Sequence, residues 1–160
     1  MRRSGGQHGD VFTSPEVVSY MLDLVGYTAD KDLGKTSILE PSCGEGEFVI
    51  EIVRRLQESS RRFDFDFEEA FIGNVFAYDV DEAKISSCLG RLADFGSSIP
   101  FGRNIRQADF LTASIRSFDV VVGNPPYIRY EQIPAELLSN YKQQFHTFHY
   151  RADLYILFFE

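Results

Sequence analysis

The chain has 160 residues, 16 Lys and Arg against 24 Asp and Glu for a formal charge of −8, and 44% hydrophobic residues that include 15 Phe and 8 Tyr but no Trp. That length suits one folded domain and the apolar share argues against disorder, while the acid excess argues against a whole surface that grips nucleic acid, since phosphate neutralisation needs clustered Lys and Arg. No apolar run approaches the roughly 20 residues that cross a bilayer, and Met1-Arg2-Arg3 leads into Ser-Gly-Gly rather than a signal-peptide core, so no membrane association and a cytoplasmic location are expected.

Residues 1–10 are polar and glycine-rich and read as a flexible arm. Thr13-Ser14-Pro15-Glu16 then supplies a capping hydroxyl, a first-turn proline and a first-turn acid. A helix is expected over 14–25, with Val17, Val18, Met21, Leu22 and Val25 on one face and Gly26 as its stop. Ser37 to Glu40 reads as a short strand, Pro41 to Gly46 as a glycine turn, and Phe48, Val49, Ile52, Val53 and Leu56 as the buried face of a second helix that ends in Arg54-Arg55 and the polar run Gln57 to Arg62. Phe63 to Phe67 alternates with period two, which suits a short edge strand or an extended connection.

Asn74 to Tyr78 is expected as a second buried strand ending in Asp79-Val80-Asp81, Ala83 to Leu92 as a helix, and Asn104 to Gln107 as a weaker third strand ahead of Asp109. Phe118 to Gly123 is strongly β-branched and reads as a buried strand that runs into Asn124-Pro125-Pro126-Tyr127. Pro134 opens a helix carrying Leu137, Leu138, Tyr141 and Phe145, and a last helix is expected from about Ala152. Strands alternating with helices predict an α/β fold built on a parallel sheet with flanking helices.

In such a sheet, ligands bind beyond the carboxyl ends of the strands, and every informative motif here falls at such an end. Gly44 and Gly46 allow close backbone approach at a helix start; a dinucleotide fingerprint would want a third glycine where Val49 stands. Asp79 is placed to accept the two hydroxyls of a ribose, and Asp109 to accept from an exocyclic adenine amine. Either acid alone is more often a loop carboxylate or a helix cap, but three successive strand ends describe a nucleoside pocket.

The Asn124 to Tyr127 turn carries the most chemistry. Neither proline has an N–H, so the turn presents oxygens without competing donors, and it is stiff. A conjugated NH2 is a poor nucleophile because its lone pair is delocalised; two oxygens that accept its hydrogens favour the pyramidal form that attacks. Tyr127 adds a face on which a flat group can stack.

These residues resemble the S-adenosylmethionine-dependent N6-adenine DNA methyltransferases, specifically the adenine-specific NPPY methylases of type II restriction-modification systems, from Val11 to Glu160. The resemblance implies a Rossmann-like methyltransferase fold, with 11–160 as a partial catalytic domain, incomplete at its carboxyl-terminal side and without a target-recognition domain. It implies S-adenosylmethionine as cofactor, with Phe12 and Thr13 in the amino-terminal motif and Thr13 at the methionine carboxylate. Glu40, Pro41, Cys43, Gly44 and Gly46 form the glycine-rich motif, Glu40 or nearby backbone facing the methionine ammonium. Asp79 is the ribose acid, Asp109 and Phe110 the adenine pair, Asn124, Pro125, Pro126 and Tyr127 the catalytic motif, and Ala152 to Tyr155 the opening of the next family helix.

The implied reaction is direct methyl transfer to the N6 amine of adenine flipped out of double-stranded DNA, with a restriction endonuclease or specificity module as a partner in the same or another chain. The 160 residues alone are expected to be inactive on duplex DNA. Two other readings stay open: a methyltransferase acting on the amide nitrogen of protein glutamine, and a non-catalytic cofactor-binding module that needs a partner chain. His8, His146 and His149 do not make a metal set, Cys43 lacks a basic partner to activate it, and Arg129, Lys142 and Arg151 are phosphate contacts or scattered solvated cations.

Overall fold

The computed structural model describes residues 12–113, 116–148 and 152–160. The arm expected over 1–10, with His8, and also His149 and Arg151, lie outside the described residues. Thr13–Asn124 form one compact unit, and Pro125–Glu160 fall with Phe12 in a second.

The first unit holds a four-stranded parallel sheet of β1 (Ile38–Glu40), β2 (Val75–Asp79), β3 (Ile105–Gln107) and β4 (Val120–Val121), in the order β3-β2-β1-β4. Glu40 lies opposite Ala77 in β2, and Leu39 opposite Val121 in β4. The chain steps outward from β1 through β2 to β3 and then returns to β1's other side. The strand order therefore reverses between β1 and β4, and in open α/β sheets the crevice at such a reversal is where ligands bind. The first three strands and the parallel pairing are as expected from the sequence.

β4 is shorter than the expected 118–123, and it is not wholly buried: Val122 is inside but Val121 is 53% exposed. In the described sheet β4 is an edge strand that pairs only with β1, so one row of its backbone groups has no ladder to extend.

Among the described residues, four α-helices accompany this sheet. In α1 (Pro15–Leu24) only Val18 and Leu22 are fully buried, with Met21 packed on the core, while Val17 and Val25 are exposed. The expected five-residue face was too wide because α1 is apolar on most of its circumference and meets its neighbours along a narrower stripe. α2 (Glu47–Phe63) buries Phe48, Val49, Ile52, Val53 and Leu56 as expected, but it does not stop at the polar run. Gln57 to Arg62 forms its last turns, with Ser59 Oγ donating to the Lys31 carbonyl at 2.7 Å and Asp64 closing the helix at φ 55°.

The alternating stretch Phe63 to Phe67 contains no strand; its middle is a connection and its ends are helical. α3 (Phe67–Asn74), which the sequence pattern does not announce, is started by Asp66, whose carboxylate accepts from the Glu69 N–H at 2.7 Å. α4 (Glu82–Leu92) is capped by Asp81, which accepts from Ala83 N–H and Lys84 N–H.

In the second unit, α5 (Ala135–Gln144) follows Pro134 as expected, and Tyr141 is buried with its ring 6.2 Å from those of Phe145 and Phe148. The helix expected from Ala152 is instead a 3-10 coil over Leu154–Phe159. Leu154 and Leu157 are the buried pair, and their three-residue spacing is the repeat of that tighter coil. No described helix is long and apolar enough to cross a membrane.

Candidate active site

The end of β1 is the centre of the site. Glu40 is 2% exposed, and its Oε2 has no hydrogen-bond partner. Burial above all, and then Cys88, Glu47 and Asp79, push its carboxyl well above the usual range. A Cβ on Gly123, at the end of the neighbouring β4 segment, would lie 2.8 Å from Glu40 Oε1; glycine there lets the carboxylate lie against that strand. A buried carboxylate without a counter-ion either holds a proton or awaits a cation.

The loop after Glu40 needs its glycines. Gly44 and Gly46 have φ of 55° and 95°, and a Cβ on Gly46 would fall 2.5 Å from Cys88 Sγ in α4. The loop is fastened at three points: Cys43 N–H donates to the Tyr78 carbonyl at 2.8 Å, Gly44 N–H to Asp79 Oδ2 at 2.8 Å, and Arg91 Nη1 to the Glu45 carbonyl at 2.7 Å. Pro41 and Cys43 are buried within it. A hydrogen bond with Cys88, followed by burial, pushes the Cys43 thiol far up, so it is no nucleophile.

Asp79, 9% exposed, also accepts from Asp81 N–H at 2.9 Å through Oδ1. Each of its oxygens keeps a second lone pair, so the loop-fastening role leaves acceptor capacity for hydroxyl groups. The Asp79 carbonyl accepts from Ala108 N–H at 2.9 Å, which ties the end of β3 to the end of β2. Asp109 starts the turn Phe110–Thr112 by accepting from Leu111 N–H at 3.0 Å, and the Phe110 ring lies 6.0 Å from that of Tyr78.

Asn124 completes this unit. Its Nδ2 donates to Thr13 Oγ1 at 3.2 Å, and its carbonyl accepts from Ser42 Oγ at 3.4 Å. Thr13, Glu40, Pro41, Cys43, Gly44, Gly46, Asp79, Asp109, Phe110 and Asn124 thus belong to one unit, nearly all at strand ends. Phe12, 74% exposed, and Pro125 to Tyr127 fall in the second unit. There Tyr127 is 52% exposed with its ring 5.7 Å from that of Tyr155, and the Pro126 carbonyl accepts from Ile128 N–H at 3.1 Å.

Three supporting residues escaped the sequence reading. Arg55, taken as part of a helix end, is 5% exposed and spends its donors on Glu51, Asp23, the Tyr27 carbonyl, and the carbonyl and hydroxyl of Ser19, which pins α1 to α2. The available signal was its place between Ile52 and Leu56 on the apolar stripe. Ser42 and Arg91, which hold Asn124 and the glycine loop, carried no distinguishing pattern. Among the described residues no three His, Cys, Asp or Glu side chains stand together as a metal site.

Residues 42–160 match the Eco57I restriction-modification methylase family. The chain belongs to this family. It is 41% identical to the type II methyltransferase M.XhoI of Xanthomonas vasicola, over 96% of this chain and 31% of that protein. It is 38% identical to M.PaeR7I of Pseudomonas aeruginosa, over 95% of this chain and 29% of that protein, so it spans less than a third of the length of these relatives. A modification subunit of a putative type I restriction enzyme from Vibrio vulnificus YJ016 superposes with a TM-score of 0.62 at 19% identity, covering 94% of this chain and 29% of that one. A putative class I S-adenosylmethionine-dependent methyltransferase from Listeria monocytogenes gives 0.59 at 23% identity, over 91% and 39%. The fold is therefore the Rossmann-like methyltransferase fold, and family and fold together imply S-adenosylmethionine as cofactor. The residues fit that group: an orphaned buried carboxylate lies beside a glycine loop where a Cβ on Gly44 would meet nothing nearer than 3.8 Å.

Proposed function

We propose that this chain carries the cofactor loops and the amine-orienting turn of a methyltransferase acting on the N6 amine of adenine in double-stranded DNA. The observation that carries the reading is the position of Asn124: it ends the β4 segment next to β1, and β1 ends in the unpartnered carboxylate of Glu40. An amine acceptor and a site for a cationic ligand thus lie on the two strands that flank the sheet's reversal.

In this reading Glu40 holds the methionine ammonium, Thr13 the carboxylate, Asp79 the ribose hydroxyls, and Asp109 with Phe110 the adenine of S-adenosylmethionine, whose bound sulfonium supplies an electrophilic methyl group. Asn124 Oδ1 and the carbonyl of Pro125, the next residue, accept the two hydrogens of the target amine, which localises the nitrogen lone pair for attack. Tyr127 offers its exposed ring to the flipped base. Residues 11–160 are then part of a catalytic domain in a cytoplasmic enzyme with a restriction or specificity partner, and residues 1–160 alone do not modify duplex DNA.

The test is a labelled methyl-transfer assay on duplex DNA with a full-length enzyme that carries this chain, run beside residues 1–160 alone and followed by digestion to nucleosides. N6-methyladenine is the expected product. Label in N4-methylcytosine or on glutamine-containing peptides would overturn the assignment, and cofactor binding without any transfer would favour a non-catalytic module.

A further inference from the structure

Thr13 sits immediately ahead of the α1 cap residue Ser14, whose side chain makes no cap hydrogen bond. The Thr13 hydroxyl is instead directed across 111 positions of sequence to the Asn124 side chain, accepting from Nδ2 at 3.2 Å. A hydroxyl can accept from an amide NH2 or donate to its C=O, so the Thr13 contact restrains the place of the Asn124 side chain rather than choosing between its two ends.

We propose that Thr13 is a positioning residue for Asn124, restraining its side chain at the end of β4 in the place where it meets the target amine. The proposal rests on the catalytic reading of Asn124 given above. The hydroxyl is itself well placed to do this, because Arg55 joins α1 to α2 through the Ser19 carbonyl, the Ser19 hydroxyl and Asp23. The Asn124 backbone is held separately by Ser42 Oγ on its carbonyl. Side chain and main chain of one residue are thus held by two different segments, 13 and 42, so the side-chain hold can be removed while the main-chain hold remains.

The experiment compares Thr13→Val, which keeps the shape and loses the acceptor, with Thr13→Ser, which keeps the acceptor, and uses Asn124→Ala as reference. Steady-state methyl transfer by a full-length enzyme that carries this chain should show kcat reduced by about tenfold in Thr13→Val, the size expected for one hydrogen bond, and largely restored in Thr13→Ser. If the valine variant folds poorly, Thr13→Ala serves in its place. A second readout is independent of turnover: in the parent, the Asn124 side-chain NH2 should give two well-separated proton resonances with slow solvent exchange, and faster exchange in Thr13→Val. Unchanged kcat and unchanged amide exchange in Thr13→Val overturn the proposal, as does a serine variant no better than valine. A rise in cofactor KM alone, with kcat intact, also overturns it. Full turnover in Asn124→Ala would instead remove the catalytic reading beneath it, so the two failures are distinguishable.

Discussion

The backbone N–H of Gly44 donates to Asp79 Oδ2 at 2.8 Å, across 35 positions of sequence. The acid at the end of β2 therefore shapes the loop at the end of β1 before any ligand arrives. Asp79→Ala removes acceptors for the Gly44 and Asp81 N–H groups at once, and each orphaned donor costs about 1–3 kcal/mol. The expected outcome is a lower melting temperature in the apo-protein together with weaker binding of S-adenosylhomocysteine by calorimetry. Asp109→Ala, which loses one local cap, should weaken binding with a smaller thermal effect. If Asp79→Ala melts and binds like the parent, Asp79 has no role in the loop.

Glu40 sets stability against binding. Its carboxyl is raised by burial, so between the ordinary carboxylate range and its elevated value the folded state binds more protons than the unfolded state. The sign is therefore a loss of stability as pH rises through that window. Glu40→Gln should raise the apo melting temperature at neutral pH, flatten its dependence on pH, and at the same time weaken cofactor binding. Thermal melts across pH 5 to 8 with parallel calorimetry check this; a glutamine variant that binds as tightly as the parent would remove the ammonium role.

Gly46→Ala meets two obstacles, a φ of 95° and a Cβ 2.5 Å from Cys88 Sγ. The left-handed backbone costs about 1–2 kcal/mol and overpacking about 1–3 kcal/mol. Cys88→Gly should relieve the second cost and not the first, so the double variant is expected to melt between the parent and Gly46→Ala once the separate cost of Cys88→Gly is subtracted. Additive effects would show that the contact with α4 is not what excludes a side chain.

Arg55→Met keeps the volume and deletes the charge from a side chain that is 5% exposed. It leaves the Tyr27 and Ser19 carbonyls and the Glu51 carboxylate short of a donor. Asp23 is 57% exposed and Glu51 keeps Arg54, so the cost is that of the orphaned carbonyls, about 1–3 kcal/mol each. Denaturant unfolding should show that loss, and hydrogen exchange should show α1 opening ahead of the sheet. An α1 as protected as before would mean that its docking rests on Val18 and Leu22 alone.

Much of this was legible in the sequence, for local reasons. Pro41 to Gly46 reads as a turn because glycine alone takes easily the positive φ that Gly44 and Gly46 adopt, and Ala83 to Leu92 reads as a helix that the structure finds over Glu82–Leu92. What stayed hidden depends on partners far along the chain. Phe63 to Phe67 alternates like a strand, but Asp66 can start a helix, and the cap prevailed over the period. Arg55 looked like the end of an apolar helix because its acceptors, Ser19, Asp23 and Tyr27, lie about 30 residues earlier. The link from Thr13 to Asn124 joins opposite ends of the unit, and no spacing rule reaches so far.

Cys43 and Cys88 are the chain's two cysteines, both reduced and both buried, one in the glycine loop and the other on the helix that closes over it. A thiol reagent can reach them only when that region opens, so the labelling rate is an intrinsic clock for local unfolding. Read with and without S-adenosylhomocysteine, the clock measures how far a ligand in the loop suppresses its breathing.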